Sequence, residues 1–152
     1  MKKYLFPVTT SLIIGTLMAF FLISGYENKE IITVSSSAST IYYVQRGVYS
    51  SKESMTDNMS EFEHYIYNKE EGKYYTYIGI TQNKENAIKI QEYYKKLGFD
   101  TYIKEKVTDN KKFLTVLNQY DEILTKTSDE GTINTICNQV LSHYEELVNG
   151  DN

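Results

Sequence analysis

Two stretches decide the fold: Tyr42-Tyr43-Val44-Gln45-Arg46-Gly47-Val48-Tyr49-Ser50-Ser51-Lys52-Glu53-Ser54-Met55 and Tyr74-Tyr75-Thr76-Tyr77-Ile78-Gly79-Ile80-Thr81-Gln82-Asn83-Lys84-Glu85-Asn86-Ala87, offset by 32 residues throughout. Each opens on an aromatic and β-branched run, which favours a strand. Each then turns polar and offers a helix N-cap, Ser51 or Asn83, with an acid (Glu53, Glu85) in the first turn, where the helix dipole favours it. Met55, Met59 and Phe62 recur at helical spacing over 51–62, and Ala87, Ile90, Tyr94 and Leu97 do so over 84–97, with Gly98 as a stop. A second strand follows each helix, His64–Tyr67 and Thr101–Lys104, and Glu70-Glu71-Gly72-Lys73 is a hairpin turn joining the halves. The order is βαββαβ in residues 41–108, which predicts an α+β, ferredoxin-like unit: one four-stranded antiparallel sheet with two helices on one face.

Alternation then assigns the faces. Val44 and Val48, with Thr76, Ile78 and Ile80, are expected to meet the helices, along with Ile66 and Ile103. Tyr43, Gln45, Tyr49, Tyr65, Tyr67, Tyr75, Tyr77 and Tyr102 are expected on the other, open face. Tyrosine supplies flat apolar area with a polar tip, suited to stacking on a sugar ring. Two plainer readings stand beside this one: tyrosines pack across strands in sheets that bind nothing, and the C-terminal helices cover the face.

The segment Tyr43-Val44-Gln45-Arg46-Gly47-Val48-Tyr49 with Ser51-Lys52-Glu53, repeated as Tyr75-Thr76-Tyr77-Ile78-Gly79-Ile80-Thr81 with Asn83-Lys84-Glu85, resembles the SPOR domain (sporulation-related repeat) family. The resemblance covers 41–107. It implies an extracytoplasmic module that binds peptidoglycan glycan strands at sites of division or sporulation, through the open sheet face, with Gln45, Tyr75 and Tyr77 as contacts. Arg46, the only Arg of the chain, departs from the family pattern. Alternation aims it at the helix side; snorkelling outward, it would pair with a glycan carboxylate.

Outward from this unit, residues 4–26 form a 23-residue stretch without a charge, long enough as a helix to span a bilayer core of roughly 30 Å. Lys2 and Lys3 keep residues 1–3 in the cytoplasm, and Tyr4 and Tyr26 fall at the interfaces. A cleaved signal peptide is the competing reading; either way the rest of the chain lies outside the cytoplasm. Residues 27–40 end in a Ser-rich tether. Residues 109–152 carry 3 Lys against 8 Asp and Glu, whereas 41–108 balance 10 basic with 10 acidic residues. Phe113, Leu117, Tyr120 and Leu124, then Ile133, Ile136, Val140, Tyr144 and Leu147, mark two amphipathic helices of a C-terminal extension. The extension packs on the domain or docks an envelope protein.

The exclusions are equally direct. A net charge of −4 argues against nucleic-acid binding. One Cys and two His leave no multi-Cys metal site and no ligand-like His pair. No Gly-rich phosphate loop appears, so no cofactor is implied. The acidic pairs Glu70-Glu71, Asp121-Glu122, Asp129-Glu130 and Glu145-Glu146 are neighbours in sequence and do not converge, so catalysis is not expected. Two functions follow: a membrane-anchored glycan-binding protein, or a membrane-anchored protein-interaction module of the envelope. An exposed tyrosine groove favours the first, and a sheet face buried under the C-terminal helices favours the second.

Overall fold

The computed structural model describes residues 38–149. The membrane span expected over 4–26 lies outside the described residues; within them no helix is long and apolar enough to cross a membrane. The described elements are β1 (Ser39–Tyr49), α1 (Lys52–Met59), β2 (Ile66–Glu70), β3 (Lys73–Thr81), α2 (Lys84–Lys96), β4 (Tyr102–Thr108), α3 (Lys111–Lys126) and α4 (Glu130–Tyr144), closed by a π-helical turn at Glu145–Asn149. The architecture is α+β: a four-stranded antiparallel sheet, ordered β2-β3-β1-β4, with four helices.

The local signals act where the residue chemistry places them. Ser51 Oγ accepts from the Ser54 N–H at 3.1 Å, and Asn83 Oδ1 accepts from Glu85 and Asn86 at 2.8 and 3.2 Å. Both caps fill donors that a helix start leaves unpaired. Asn110 and Asp129 do the same for α3 and α4. Helix α1 stops at Met59, short of Phe62. Thr56, Asn58 and Ser60 side chains bond back to backbone carbonyls there, a competitor of helix propagation. β1 starts at Ser39, inside the expected tether, because Ser39 and Thr40 pair with Thr108 and Val107 of a β4 longer than its apolar core. Backbone pairing needs no apolar side chain, so composition alone does not mark it.

Two register shifts revise the faces. Val44 pairs with Gly79 and Gln45 with Tyr77, which leaves Ile78 unpaired on β3; Gln45 pairs with Tyr77 and Gly47 with Thr76, which leaves Arg46 unpaired on β1. An unpaired residue reverses alternation beyond it. Val44 meets the helices as expected: Gly79 lies opposite it, and a Cβ there would come within 3.1 Å of Ile90 of α2. That closeness is what the glycine permits. Beyond Arg46 the parity inverts. Tyr49 turns to the helix side, its hydroxyl 3.8 Å from the Met59 sulfur, and Val48 turns outward, 43% exposed. Beyond Ile78, Ile80 shares the face of Tyr43 rather than that of Val44.

That second face is not open. Tyr144 of α4 sets its ring 6.0 Å from Tyr43 and 5.3 Å from Phe113 of α3. Ile41, Tyr43, Ile66, Tyr77 and Ile80 are all buried. Beyond Tyr77, β3 has no β2 partner, and α4 packs against it. Polar bonds fasten this layer to the sheet end. Asp121 is buried; its carboxylate accepts from the Gln82 N–H at 2.8 Å, from Asn86 Nδ2 at 3.0 Å and from the Thr81 hydroxyl. Burial pushes the Asp121 carboxyl up from its ordinary range, and these hydrogen bonds oppose the shift. Lys89 Nζ donates to the carbonyls of Leu124 (2.5 Å), Thr125 (3.3 Å) and Thr127 (3.0 Å), a cation at the negative end of α3.

Three outcomes are expected. Glu71 holds φ 49° beside Gly72 at φ 76° in the two-residue β2–β3 turn, a shape that Asn adopts more easily. Glu71→Asn should stabilise by about 0.5 kcal/mol, read as a raised thermal midpoint. Asp121→Ala leaves the Gln82 N–H and the Asn86 amide without their acceptor in a buried site. It should cost about 2–4 kcal/mol in a denaturant titration. Removal of 109–152 bares Tyr43, Tyr77 and Ile80 together, so the truncated chain should lose its cooperative unfolding transition in calorimetry.

Candidate functional site

The nine residues expected to face one ligand are dispersed. Tyr43 is 4% exposed and sits 5.0 Å, centroid to centroid, from Tyr77, itself 3% exposed. The Lys106 ammonium lies 5.1 and 5.0 Å from these two rings and 3.9 Å from Glu70, a buried-side cation–π contact. Gln45 is 5% exposed, and its Oε1 finds no hydrogen-bond partner among the described residues. Tyr49 points to α1. Tyr65 is half-buried just before β2. Tyr67 pairs with Thr76 and stacks 6.0 Å from Tyr74 on the α1 side. Tyr75 is half-buried opposite Val48, and Tyr102, 63% exposed, stands opposite Gln45. The two tyrosines with most free surface, Tyr67 and Tyr102, therefore lie on opposite faces, at opposite edges of the sheet. The single tyrosine platform expected from alternation is corrected by the bulge at Arg46, which turns Tyr49, by the β2 register, which puts Tyr67 opposite Thr76, and by the α3–α4 layer.

Arg46 takes the helix-side option. Its guanidinium lies 5.2 Å from the Phe99 ring and 6.0 Å from the Phe62 ring, and Nη1 donates to the Asp100 carbonyl at 3.4 Å. Its Nε is buried without a partner among the described residues. The unpaired position in the bulge is what lets the chain swing the side chain to the sheet end. The outward pairing with a glycan carboxylate is not the observed arrangement.

Phe62 and Phe99 belong to a feature that alternation did not reveal. A hollow of about 320 Å³ is lined by Glu61, Phe62, Glu63 and His64 of the α1–β2 connection, Tyr93, Tyr94 and Leu97 of the α2 end, Phe99, and Asn134 and Asn138 of α4. Its aromatic rings touch in series: Phe62–Phe99 at 4.8 Å, Phe62–Tyr94 at 5.9 Å and Tyr93–Tyr94 at 4.8 Å. Phe62 and Tyr94 are 32 positions apart, the offset of the repeat, so equivalent residues of the two halves meet here. That equivalence was the available signal. What it lacked was α4, which supplies the third wall. Cys137 of α4 is buried beside Tyr94, and burial pushes its thiol up to about 12, an inert packing residue. Among the described residues no three His, Cys, Asp or Glu are grouped to hold a metal ion.

The chain matches no family model, no curated protein and no solved structure.

The buried phenols give a pH test. Burial raises Tyr43 and Tyr94 far above the ordinary phenol value and Tyr77 to about 12, with the neighbouring Tyr144 and Glu70 adding smaller contributions to Tyr43 and Tyr77 respectively. A group raised in the folded state contributes stability fully below its unfolded pKa of about 10, and that stability is lost as pH rises through the folded value. In a 295 nm absorbance titration a late group of tyrosines should therefore ionise together with loss of the circular-dichroism signal. Complete ionisation with the fold intact would contradict the burial of Tyr43 and Tyr94.

Proposed function

We propose that this chain is a membrane-anchored protein-interaction module of the cell envelope. In this reading residues 4–26 hold it in the membrane, and the α+β unit outside the cytoplasm recognises another protein. The observation that carries the reading is the α3–α4 layer. It occupies the sheet face that a stacked glycan would need, with Tyr144 seated over Tyr43. The strand order β2-β3-β1-β4 is that of a ferredoxin-like βαββαβ unit, which supports the resemblance at the level of architecture. The added helices change what that architecture can present. His64 and His143 each neighbour a glutamate, at 3.6 and 3.5 Å.

The second reading is a SPOR-type protein binding peptidoglycan glycan strands at division or sporulation sites. It has one specific support, the uncovered end of the same face, where Tyr75, Val48 and Tyr102 lie. Photocrosslinking from within cells separates the two. A benzophenone amino acid at Tyr67, Tyr102 or Leu97 should give a discrete protein adduct whose mobility is unchanged by muramidase digestion. Adducts that collapse on digestion, together with retention of the protein on amidase-stripped wall sacculi, would sink the protein-docking reading in favour of the glycan.

A further inference from the structure

We propose that a second copy of this chain pairs with the free edge of β2, antiparallel and centred on Asn68. This goes beyond the function proposed above and holds under either reading of the ligand. β2 stands at one end of the strand order β2-β3-β1-β4, so its outer side has no strand beside it. Its pairing with β3 runs from Ile66 to Glu70 without a bulge. Tyr67 and Lys69 project from it, both exposed.

The hairpin decides which backbone groups of β2 are free. Glu71 and Gly72, at φ 49° and 76°, make a two-residue turn, which a hydrogen-bonded pair closes, here Glu70 and Lys73. Hydrogen-bonded and non-hydrogen-bonded pairs alternate along an antiparallel ladder. Glu70, Asn68 and Ile66 therefore bond to β3, and Lys69 and Tyr67 turn their N–H and C=O groups outward. A two-fold axis at Asn68 sets Tyr67 of each copy opposite Lys69 of the other, and both pairs close their outward hydrogen bonds. An axis there keeps all five residues of β2 in the pairing, because Asn68 is the middle of Ile66–Glu70.

The side chains suit that register. Tyr67 and Lys69 share the α1 side of the sheet, and Lys69 Nζ already lies 5.4 Å from the Tyr74 ring, itself 6.0 Å from Tyr67. Pairing brings each ammonium beside a second ring, a further cation–π contact. On the other face Asn68 meets Asn68 and Ile66 meets Glu70, so no like charges stand opposite each other. A lysine commonly blunts an edge strand; here it faces a ring. The other edge of the sheet behaves differently. The middle of β4 is Glu105, and the same axis there opposes Glu105 to Glu105 and Lys104 to Lys106. Five residues a side make a small interface, so the contact forms where chains are concentrated, as on a membrane surface.

The test is disulfide crosslinking of the full chain in membranes of cells that express it. At the axis, Asn68 faces itself in a non-hydrogen-bonded pair, where Cα atoms lie about 4.5 Å apart, within disulfide reach. Asn68→Cys should give a linked dimer on mild oxidation, and Tyr102→Cys on β4 should stay monomeric. Cys137 is buried and stays out of the reaction. Tyr67→Lys opposes two lysines and should lower the Asn68→Cys dimer about fivefold; adding Lys69→Glu restores opposite charges and should bring the dimer back. Positions 67 and 69 are exposed, so these variants should keep the parent thermal midpoint. No dimer from Asn68→Cys, equal linking from Tyr102→Cys, or a Tyr67→Lys loss that Lys69→Glu does not reverse would overturn the assignment. The outcome is separable from the function proposed above. A benzophenone adduct at Tyr67 that joins two copies of this chain reports the β2 contact, whereas adducts at Tyr102 or Leu97 report the docking partner.

Discussion

Everything in this molecule depends on the closure of the Tyr43 face of the sheet by Tyr144 and the helices that carry it. The sheet has two apolar faces. One receives Met59 and Ile90 from α1 and α2; the other carries Ile41, Tyr43, Tyr77 and Ile80. Full burial of each such side chain contributes on the order of 2 kcal/mol. Left bare, the second face would forfeit a sum comparable with the whole net stability of a domain this size. A two-layer βαββαβ unit of this sequence is therefore incomplete, and α3 and α4 supply its third layer. Asp121 and Lys89 explain why the layer sits where it does. Each reaches from one side of the join and finds several partners on the other, so sliding the helices would strand buried polar groups.

That closure takes Tyr43 and Tyr77 of the sheet out of reach of solvent. What stays accessible is its perimeter: Tyr67 beside β2, Tyr102 beside β4, and the aromatic hollow where the two halves of the repeat meet α4. The β4 edge is guarded against pairing with a second copy. An antiparallel β4–β4 contact centred on Glu105 would set Glu105 against Glu105 and Lys104 against Lys106, like charges directly opposed. The hollow has no such guard. It brings aromatic rings, a helix end and two carboxylates together, with the Arg46 guanidinium and the last-turn Lys95 and Lys96 beside them.

The repeat, both helix caps on its halves, the hairpin at Glu70–Lys73 and the two C-terminal helices were legible in the residues, because each is written in short-range chemistry: alternation, capping side chains, Gly with positive φ, and apolar spacing of three and four. The faces were legible only in part. Val44 and Thr76 were placed correctly; Tyr49, Val48 and Ile80 were not, since each lies past an unpaired residue that reverses the count, and Ile66 and Tyr67 were not, since β2 sets Ile66 opposite Tyr77 and Tyr67 opposite Thr76. Arg46 was the one local hint of the first bulge, a lone charge in an apolar strand.

The sequence by itself determined an α+β domain of two related halves followed by amphipathic helices, since local propensity and periodicity are properties of neighbours along the chain. Only the tertiary structure decided that those helices lie over the tyrosine face, that Arg46 stacks on Phe62 and Phe99, and that Tyr94 and Asn138 wall one hollow. These depend on contacts between residues tens of positions apart, where one skipped residue in a strand register redirects the side chains beyond it. An amphipathic stripe states that a partner surface exists, and only three-dimensional packing states which surface it is.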